Sequence, residues 1–482
     1  MPRNLSRRSA LKAAVATLAL PAGASAAPAS GDLVLNDASR LDATRVKRHW
    51  RPPADDAGFV DGLRRELKAA AQAGRPVVVG GARHSMGGQS LPRDGTAITL
   101  DTGWRTPDAA LGVYRARSGA RWREVIQTLR PIGFSPKVMQ SNSDFTLGGA
   151  FSVNAHGWAV PLGPVGTTVR SLRLMLADGE VVTLSRTEEP ELFGLAMGGY
   201  GLLGAILDFE MEMVPDAVLT PTVELMPASQ LGRRFQQLVH APGVLMAYGR
   251  LSVARGEFLQ QALMTTFRRT AGAPPRLPPA DGREGVLSSV TREVYRAQIG
   301  SEYWKKARWY AETVIDPKIE PKRVSRNDLL SSPVSALADH NRQRTDILHE
   351  YFLPPEKLGD FLQACREVIL KTHAELLNVT LRYVDTDSFS VLAFAPAPRV
   401  AAVMSFSMPL SAQADTAMRP MTQALIDHVL SLGGSFYLPY RLHARRDQLD
   451  RAYPRLATFL TLKRKHDPHL LFRNALWDHY FA

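Results

Sequence analysis

The chain has 482 residues, of which 45% are hydrophobic and 22% charged, enough for two or three globular domains of roughly 100–200 residues each. A single cysteine, Cys365, excludes an intramolecular disulfide and any multi-cysteine metal site, and the 12 histidines show no HExxH-like spacing, so no metal is expected. The net charge of +13 comes with no helix-turn-helix, zinc or RNA-reading pattern, so nucleic acid is not an expected partner; an anionic substrate or an anionic lipid surface explains the charge as well.

Residues 1–26 read as an export signal. Ser6-Arg7-Arg8-Ser9-Ala10-Leu11-Lys12 carries paired arginines, Ala13 to Leu20 is a short apolar run, and Ala24-Ser25-Ala26 is a small-residue cleavage site. The run is too short to span a bilayer. The segment resembles a twin-arginine signal, with Ala10 where a Phe is usual, so the expected location is outside the cytoplasm, in a periplasm. Losing Arg3, Arg7, Arg8 and Lys12 takes the charge from +13 to +9. That route carries folded proteins, and a cofactor loaded in the cytoplasm is the usual reason to fold first.

From Asn36 onward strand and helix signals alternate. Phe59, Leu63, Leu67 and Ala70 or Ala71 recur at helical spacing and lead into a short apolar strand, Val77–Val79. Gly80-Gly81-Ala82-Arg83-His84-Ser85-Met86-Gly87-Gly88-Gln89-Ser90 follows. Its glycines let the backbone turn sharply and approach a ligand with no Cβ in the way, and N–H groups converging on one point suit a phosphate or pyrophosphate. A turn that binds nothing is the plainer reading. No Gly-Lys-Ser/Thr follows, so this is not a Walker loop, and Leu91-Pro92-Arg93-Asp94-Gly95 stands where a dinucleotide fingerprint would start its helix. Ile98–Asp101 and Val113–Ala116 read as strands, and Trp122, Val125 and Leu129 as a short helix stopped by Pro131 and Gly133. A second glycine-rich segment runs from Thr146 to Gly157; Leu172–Leu176 and Glu180–Leu184 flank the hairpin signal Asp178-Gly179; and Gly198–Gly204 leads into a strand over Ala205–Met213.

In order and spacing, the loop Gly80–Gln89, Leu147-Gly148-Gly149 with Ala155-His156-Gly157, Asp178-Gly179 and Gly201-Leu202-Leu203-Gly204-Ala205-Ile206 resemble the FAD-binding domain, PCMH-type, of the vanillyl-alcohol-oxidase family. Within that family the chain is most similar to the sugar and polyol branch of alditol, aldonolactone and decaprenylphosphoryl-ribose oxidases, over nearly the whole mature chain. The resemblance implies an α+β fold: a two-part FAD-binding domain over residues 36–214, an antiparallel-sheet substrate domain over 215–432, and a C-terminal segment, 433–482, that packs back on the FAD domain. It implies FAD held at the pyrophosphate by Gly80, Gly81, Ala82, Arg83, His84, Ser85 and Gln89, along the flavin ring by Gly148, Gly149, Asn154, Ala155, His156 and Gly157, and at the adenine side by Gly204 and Ile206. Family members with His-Ser at this place bond that histidine to the C8 methyl of the flavin. The match therefore implies His84 as a covalent attachment point, where a neutral imidazole is the competent nucleophile; without the family, His84 reads as a solvated or capping side chain. Some members add a cysteine before the second glycine segment, and Val138–Thr146 has none.

Beyond Val214-Pro215, Pro274 to Gly282 contains four prolines and reads as an exposed loop or disordered excursion. Arg292 to Tyr310 interleaves aromatic and basic residues. Stacking on bases, a helix lying against a membrane surface or lidding the site, and a plain helix packed on the substrate domain all remain open there. Ile347–Leu353 is strand-like, Pro354-Pro355 opens a helix through about Ile369, and Val379–Tyr383 is a further strand. These suit one antiparallel sheet covering the flavin.

Gly433 to Tyr440, then Tyr453-Pro454-Arg455, then Lys463 to Pro468 resemble the family's C-terminal segment. Relatives place a lysine near the flavin where Tyr440 stands, and an acidic residue two places before Arg382, where this chain has Thr380; Arg382 matches. Arg382 could orient substrate hydroxyls or serve as a fixed cation. Tyr440 or His443 could take the hydroxyl proton, the tyrosine only with a neighbour that lowers its pKa from about 10. The plainer reading makes Arg382, Tyr437 and Tyr440 ordinary sheet residues. The expected reaction is FAD-dependent oxidation of a CH–OH group of a sugar, polyol or related alcohol, by hydride transfer to the flavin, with O2 or another electron acceptor. An aldonolactone oxidase or dehydrogenase, and a flavin-bearing electron-transfer or binding subunit without small-alcohol turnover, are the alternatives.

Overall fold

The helix read from its apolar spacing spans Phe59–Gln72 in the computed structural model and buries Phe59, Leu63, Leu67 and Ala70 as one face. The structure describes residues 33–53, 58–272, 292–319, 322–333 and 341–482; the export signal and the proline-rich stretch Pro274–Gly282 lie outside the described residues. The helix delivers the chain to the strand Val77–Gly80, which joins Thr96–Thr99 and Arg48–Trp50 in a parallel sheet with Thr96–Thr99 in the middle. Parallel strands are covered on both faces, which is why Val77–Val79 is an unbroken apolar run. The glycine loop begins where this strand ends.

A second sheet, antiparallel, has the order Val181–Ser185, Val169–Met175, Ala205–Pro215, Val113–Arg117, Arg105–Asp108, with Phe134–Pro136 on the far end of Ala205–Pro215. The hairpin at Asp178-Gly179 forms as read: Gly179 has φ +87°, and the Glu180 N–H donates to Asp178 Oδ1 at 2.9 Å. The next strand, Val218–Pro227, enters a third sheet of eight antiparallel strands: Val324–Ser325, Val218–Pro227, Gln261–Arg269, Val244–Leu251, Glu375–Val384, Arg399–Pro409, Arg344–Leu353, Ser435–Phe436. Sequence reading recovered Arg344–Leu353 and Glu375–Val384 but not Arg399–Pro409, which lies between them.

The segment Arg292–Tyr310 is interrupted at Gly300 (φ +69°) and restarts at Ser301, whose side chain accepts from the Trp304 N–H and caps the helix Glu302–Tyr310. Lys305 is buried in an ion pair with Glu375 at 2.7 Å, and Trp309 Nε1 donates to Gln261 Oε1 at 3.0 Å, so one side packs on the sheet. Tyr303, Trp304 and Tyr310 are exposed. No helix among the described residues is long and apolar enough to cross a membrane.

The last fifty residues lace the glycine loop to the eight-stranded sheet. The Met86 N–H donates to Pro439 O at 2.8 Å and the Val77 N–H to Leu471 O at 2.7 Å, while Asn474 Nδ2 donates to Gln89 O and Tyr200 O at 2.9 and 3.0 Å. One hydrophobic core runs through both antiparallel sheets, and residues 33–482 form one compact unit.

Candidate active site

The two glycine segments touch where no side chain fits. A Cβ on Gly81 would collide with Thr146 Oγ1, and Thr146 is itself committed, capping the short helix Leu147–Ser152 by accepting from the Gly149 N–H at 3.3 Å. Gly148 donates its N–H to Ser118 O at 2.8 Å. This glycine-walled junction forms one side of a cavity of about 300 Å³ whose other wall comes from the eight-stranded sheet and the segment Tyr437–Tyr440, within the size range of small-molecule sites. Gly80, Gly81, Ala82, Arg83, His84, Ser85, Gln89, Gly148, Gly149, Ala155, His156, Gly204 and Ile206 all line it, together with Arg382 and Tyr440.

Three of the residues singled out from sequence do not. Asn154 is buried with its side chain spent on the fold: Oδ1 accepts from the Gly166 N–H at 2.9 Å and Nδ2 donates to Asp387 at 2.8 Å. Gly157 lies against the Met139 carbonyl, which a Cβ would overlap. His443 is outside the cavity, held between Asp415 Oδ1 at 2.9 Å and Thr422 Oγ1 at 3.1 Å, which removes it as a proton acceptor there.

His84 is half-buried and stacks on Phe145, ring centroids 4.2 Å apart at 31°. Burial lowers its pKa, with Arg121 acting the same way and Asp144 opposing, so the imidazole is neutral near pH 7. Arg83 adopts φ +53° and points a guanidinium at Thr99. Gln89 works as a clamp, its Nε2 donating to Leu438 O and Tyr440 O at 2.8 and 2.9 Å.

The sheet wall supplies a carboxylate that sequence reading missed. Side chains alternate along the strand Arg344–Leu353, and Leu348 and Glu350 both line the cavity. Glu350, buried, accepts from His156 Nε2 on one oxygen and from the Tyr440 hydroxyl at 3.0 Å on the other. Burial alone would raise its pKa; the His156 contact, the Arg382 charge and the Tyr440 hydrogen bond outweigh it and hold the carboxyl below its ordinary range. Tyr440 moves the other way: burial, and then the negative Glu350, push the phenol well above 10, which argues against it as a base. Arg382, its pKa lowered by burial and supported by Glu350, donates to Ser141 Oγ at 2.9 Å. The cavity thus holds a carboxylate, on a different strand from Thr380.

Five polar atoms of the lining residues are buried without a partner: Nε of Arg83, both amide atoms of Gln140, Nδ1 of His156 and Nε of Arg382. Buried polar groups are rarely left so. A glycine-walled cradle at one end and a convergence of unsatisfied donors and acceptors at the other suit a flavin dinucleotide with a small polar molecule beside it. Glu350 carries one signal in the sequence, a charge inside the apolar run Ile347 to Leu353; Gln140 carries none.

The fold and cavity therefore define an FAD-binding protein, and residues 59–185 match the family described as FAD binding domain. Among individual proteins, the chain is similar to decaprenylphosphoryl-beta-D-ribose oxidase of Mycolicibacterium smegmatis, 22% identical over 447 residues, 85% of this chain and 90% of that one. It is similar to cytokinin dehydrogenase 1 of Arabidopsis thaliana, 30% identical over 147 residues, 29% of this chain and 25% of that one. L-galactono-1,4-lactone dehydrogenase 2, mitochondrial, of Oryza sativa subsp. japonica is 32% identical over 107 residues, 22% of this chain and 18% of its own. The matches to the cytokinin dehydrogenases span about a quarter of those proteins' length. The ribose oxidase and the lactone dehydrogenase agree with the branch read from the sequence.

Proposed function

We propose that the protein is an FAD-dependent oxidoreductase that oxidises a CH–OH group of a sugar, polyol or related alcohol by hydride transfer to the flavin. The observation that carries this reading is the cavity itself: one end is walled by glycines and suited to a pyrophosphate, the other by Arg382, Glu350, Tyr440 and His156. FAD, when bound, supplies the hydride acceptor. The residues supply the rest. Arg382, fixed by Ser141 and flanked by Glu350, offers a guanidinium that orients substrate oxygen and balances negative charge. Tyr440, anchored by Glu350, forms part of the wall beside Arg382. The similarity to a lactone dehydrogenase favours an aldonolactone as the second substrate class. Anaerobic mixing with polyols, aldonolactones and aromatic alcohols tests the reading: a member of the first two classes bleaches the flavin band, whereas an electron-transfer subunit bleaches with none.

We further propose that FAD is attached covalently through His84, whose neutral imidazole can add to an activated C8 methyl. Export of the folded, loaded protein by the twin-arginine route fits that attachment, because a bound flavin is retained where free FAD is scarce. Replacing Arg7 and Arg8 with Lys then holds flavin-loaded protein in the cytoplasm, and undiminished export of that variant contradicts the assignment. The exposed Tyr303, Trp304 and Tyr310 beside Lys306 support a peripheral membrane contact, checked by co-sedimentation with anionic vesicles.

A further inference from the structure

Arg382 reaches the cavity from the strand Glu375–Val384, and the loop it meets there is Gln140-Ser141-Asn142, between the strand Phe134–Pro136 and the helix Leu147–Ser152. A guanidinium can only donate, so the Ser141 hydroxyl accepts from Arg382 Nη2 at 2.9 Å and gives its own proton to Asn142 Oδ1 at 3.3 Å. That chain fixes which way the amide points. With Oδ1 engaged, the free end of Asn142 is Nδ2, a donor, and the free end of Arg382 is Nη1, also a donor.

Both free ends have room around them. Arg382 and Asn142 are half-buried and line the cavity. Nε of Arg382 is shut away from solvent, but its Nη1 and the Nδ2 of Asn142 make no hydrogen bond among the described residues and are not among the buried atoms. The open space beside them is the cavity.

Charge points the same way. The neighbouring Arg250 shares Glu312 with Arg308, at 3.0 and 2.7 Å, whereas Arg382 takes part in no ion pair among the described residues. Glu350 acts on it through space, with its own two oxygens turned to His156 and Tyr440. A cation held in a protein wall is normally paired, so here the partner comes with the ligand. Two planar donors on either side of the Ser141 hydroxyl match the two oxygens of a carboxylate; a phosphate would leave an oxygen without a donor. The net charge of +13 draws such an anion toward the protein.

We propose that Arg382 and Asn142 form a carboxylate subsite, and that the alcohol oxidised is a sugar acid, held by its carboxylate with a CH–OH group presented to the flavin. Ser141 is the positioning residue that holds both donors in place. This narrows the CH–OH reading and rests on it for turnover, though not for binding.

The test begins with binding to the FAD-loaded protein at neutral pH, where a carboxylic acid is ionised. The probes are butyrate, which has no hydroxyl to oxidise, its uncharged counterpart butyramide, and inorganic phosphate. Butyrate is expected to perturb the flavin absorption band saturably, at concentrations lower than the other two by about tenfold or more. Asn142→Asp, which turns a donor into a negative charge, abolishes that response with FAD content unchanged, and Arg382→Lys weakens it by about tenfold, since an ammonium lacks the planar pair of donors. Equal responses to butyrate and butyramide, no response to butyrate, a tighter response to phosphate, or an undiminished response in Asn142→Asp overturns the proposal. So does a folded Asn142→Asp protein without FAD, because the donors then belong to the cofactor. Should that variant not fold, Asn142→Ala decides by the same comparison.

Turnover is read by anaerobic flavin reduction with sugar acids and their matching alditols, gluconate against sorbitol among them. The acids are expected to have the higher kcat/KM, and Asn142→Asp to raise KM for the acids by about tenfold or more while KM for the alditols stays within about twofold. Reduction by alditols and by none of the acids overturns the proposal and leaves the CH–OH reading intact. If butyrate binds as expected while neither class reduces the flavin, the CH–OH reading fails and the carboxylate subsite stands.

Discussion

Glu350 holds two donors at once, His156 on one oxygen and the Tyr440 hydroxyl at 3.0 Å on the other, and Arg382 stands beside it with a hydrogen bond to Ser141. Arg382→Ala removes a cation that is already desolvated, and Tyr440→Phe removes one of the two donors on Glu350. Both variants should keep FAD while the flavin is reduced more slowly, by about 10²-fold or more for the arginine and by about tenfold for the tyrosine, whose role is indirect. Loss of FAD in either, read from the visible spectrum, would make that residue structural. Arg382 and Tyr440 were legible because they sit in segments that match a known pattern. Glu350 was not, because its partners are distant in sequence and a single acidic residue in an apolar strand has no periodicity to betray its role. His443 misled for the opposite reason: near Tyr440 in sequence, it turns away to Asp415 and Thr422.

At the scale of elements, the glycine loop was readable because its constraint is steric and local. The close approach of Gly81 to Thr146 leaves glycine as the residue that fits. Gly81→Val must push apart the loop and the helix Leu147–Ser152, so the variant should be folded by circular dichroism but carry little or no FAD; full occupancy would contradict the cradle. Arg399–Pro409 was missed because a central strand covered on both faces is a continuous apolar run, here Val400 to Met404, which periodicity does not separate from a buried helix. Gly300 was similarly unread as a break: aromatic and basic residues on either side suggested one helix, and a positive φ with the Ser301 cap makes two.

For the molecule as a whole, the C-terminal segment closes the structure with buried charge. Arg441 donates to Asp415 at 2.8 Å, to Asp42 and to Met86 O at 2.6 Å. His349 lies next to this network. Burial first, then repulsion from His443, push its pKa from 6.5 down to about 3, with Asp415 opposing. The unfolded chain therefore binds a proton in a window where the folded chain does not, so this contribution is complete above about pH 6.5 and is lost as pH falls, by about 1.4 kcal/mol per pH unit. The thermal midpoint should drop steadily between those values, and His349→Gln should flatten the slope whatever it does to the midpoint at neutral pH. An unchanged slope would place the acid sensitivity elsewhere. None of this network was visible in sequence, since it joins residue 42 to residues 349, 415 and 441.

The central claim is that the cavity is a flavin site with His84 at the ring. Its most direct measurement is the flavin content of the purified protein before and after acid denaturation, followed by the mass of the peptide bearing residue 84. The account predicts one FAD per chain, retained on denaturation and found as the mass of one FAD added to that peptide, with His84→Ala binding FAD that acid releases. Wild-type protein that releases all its flavin contradicts the attachment, and protein isolated with no affinity for FAD contradicts the account.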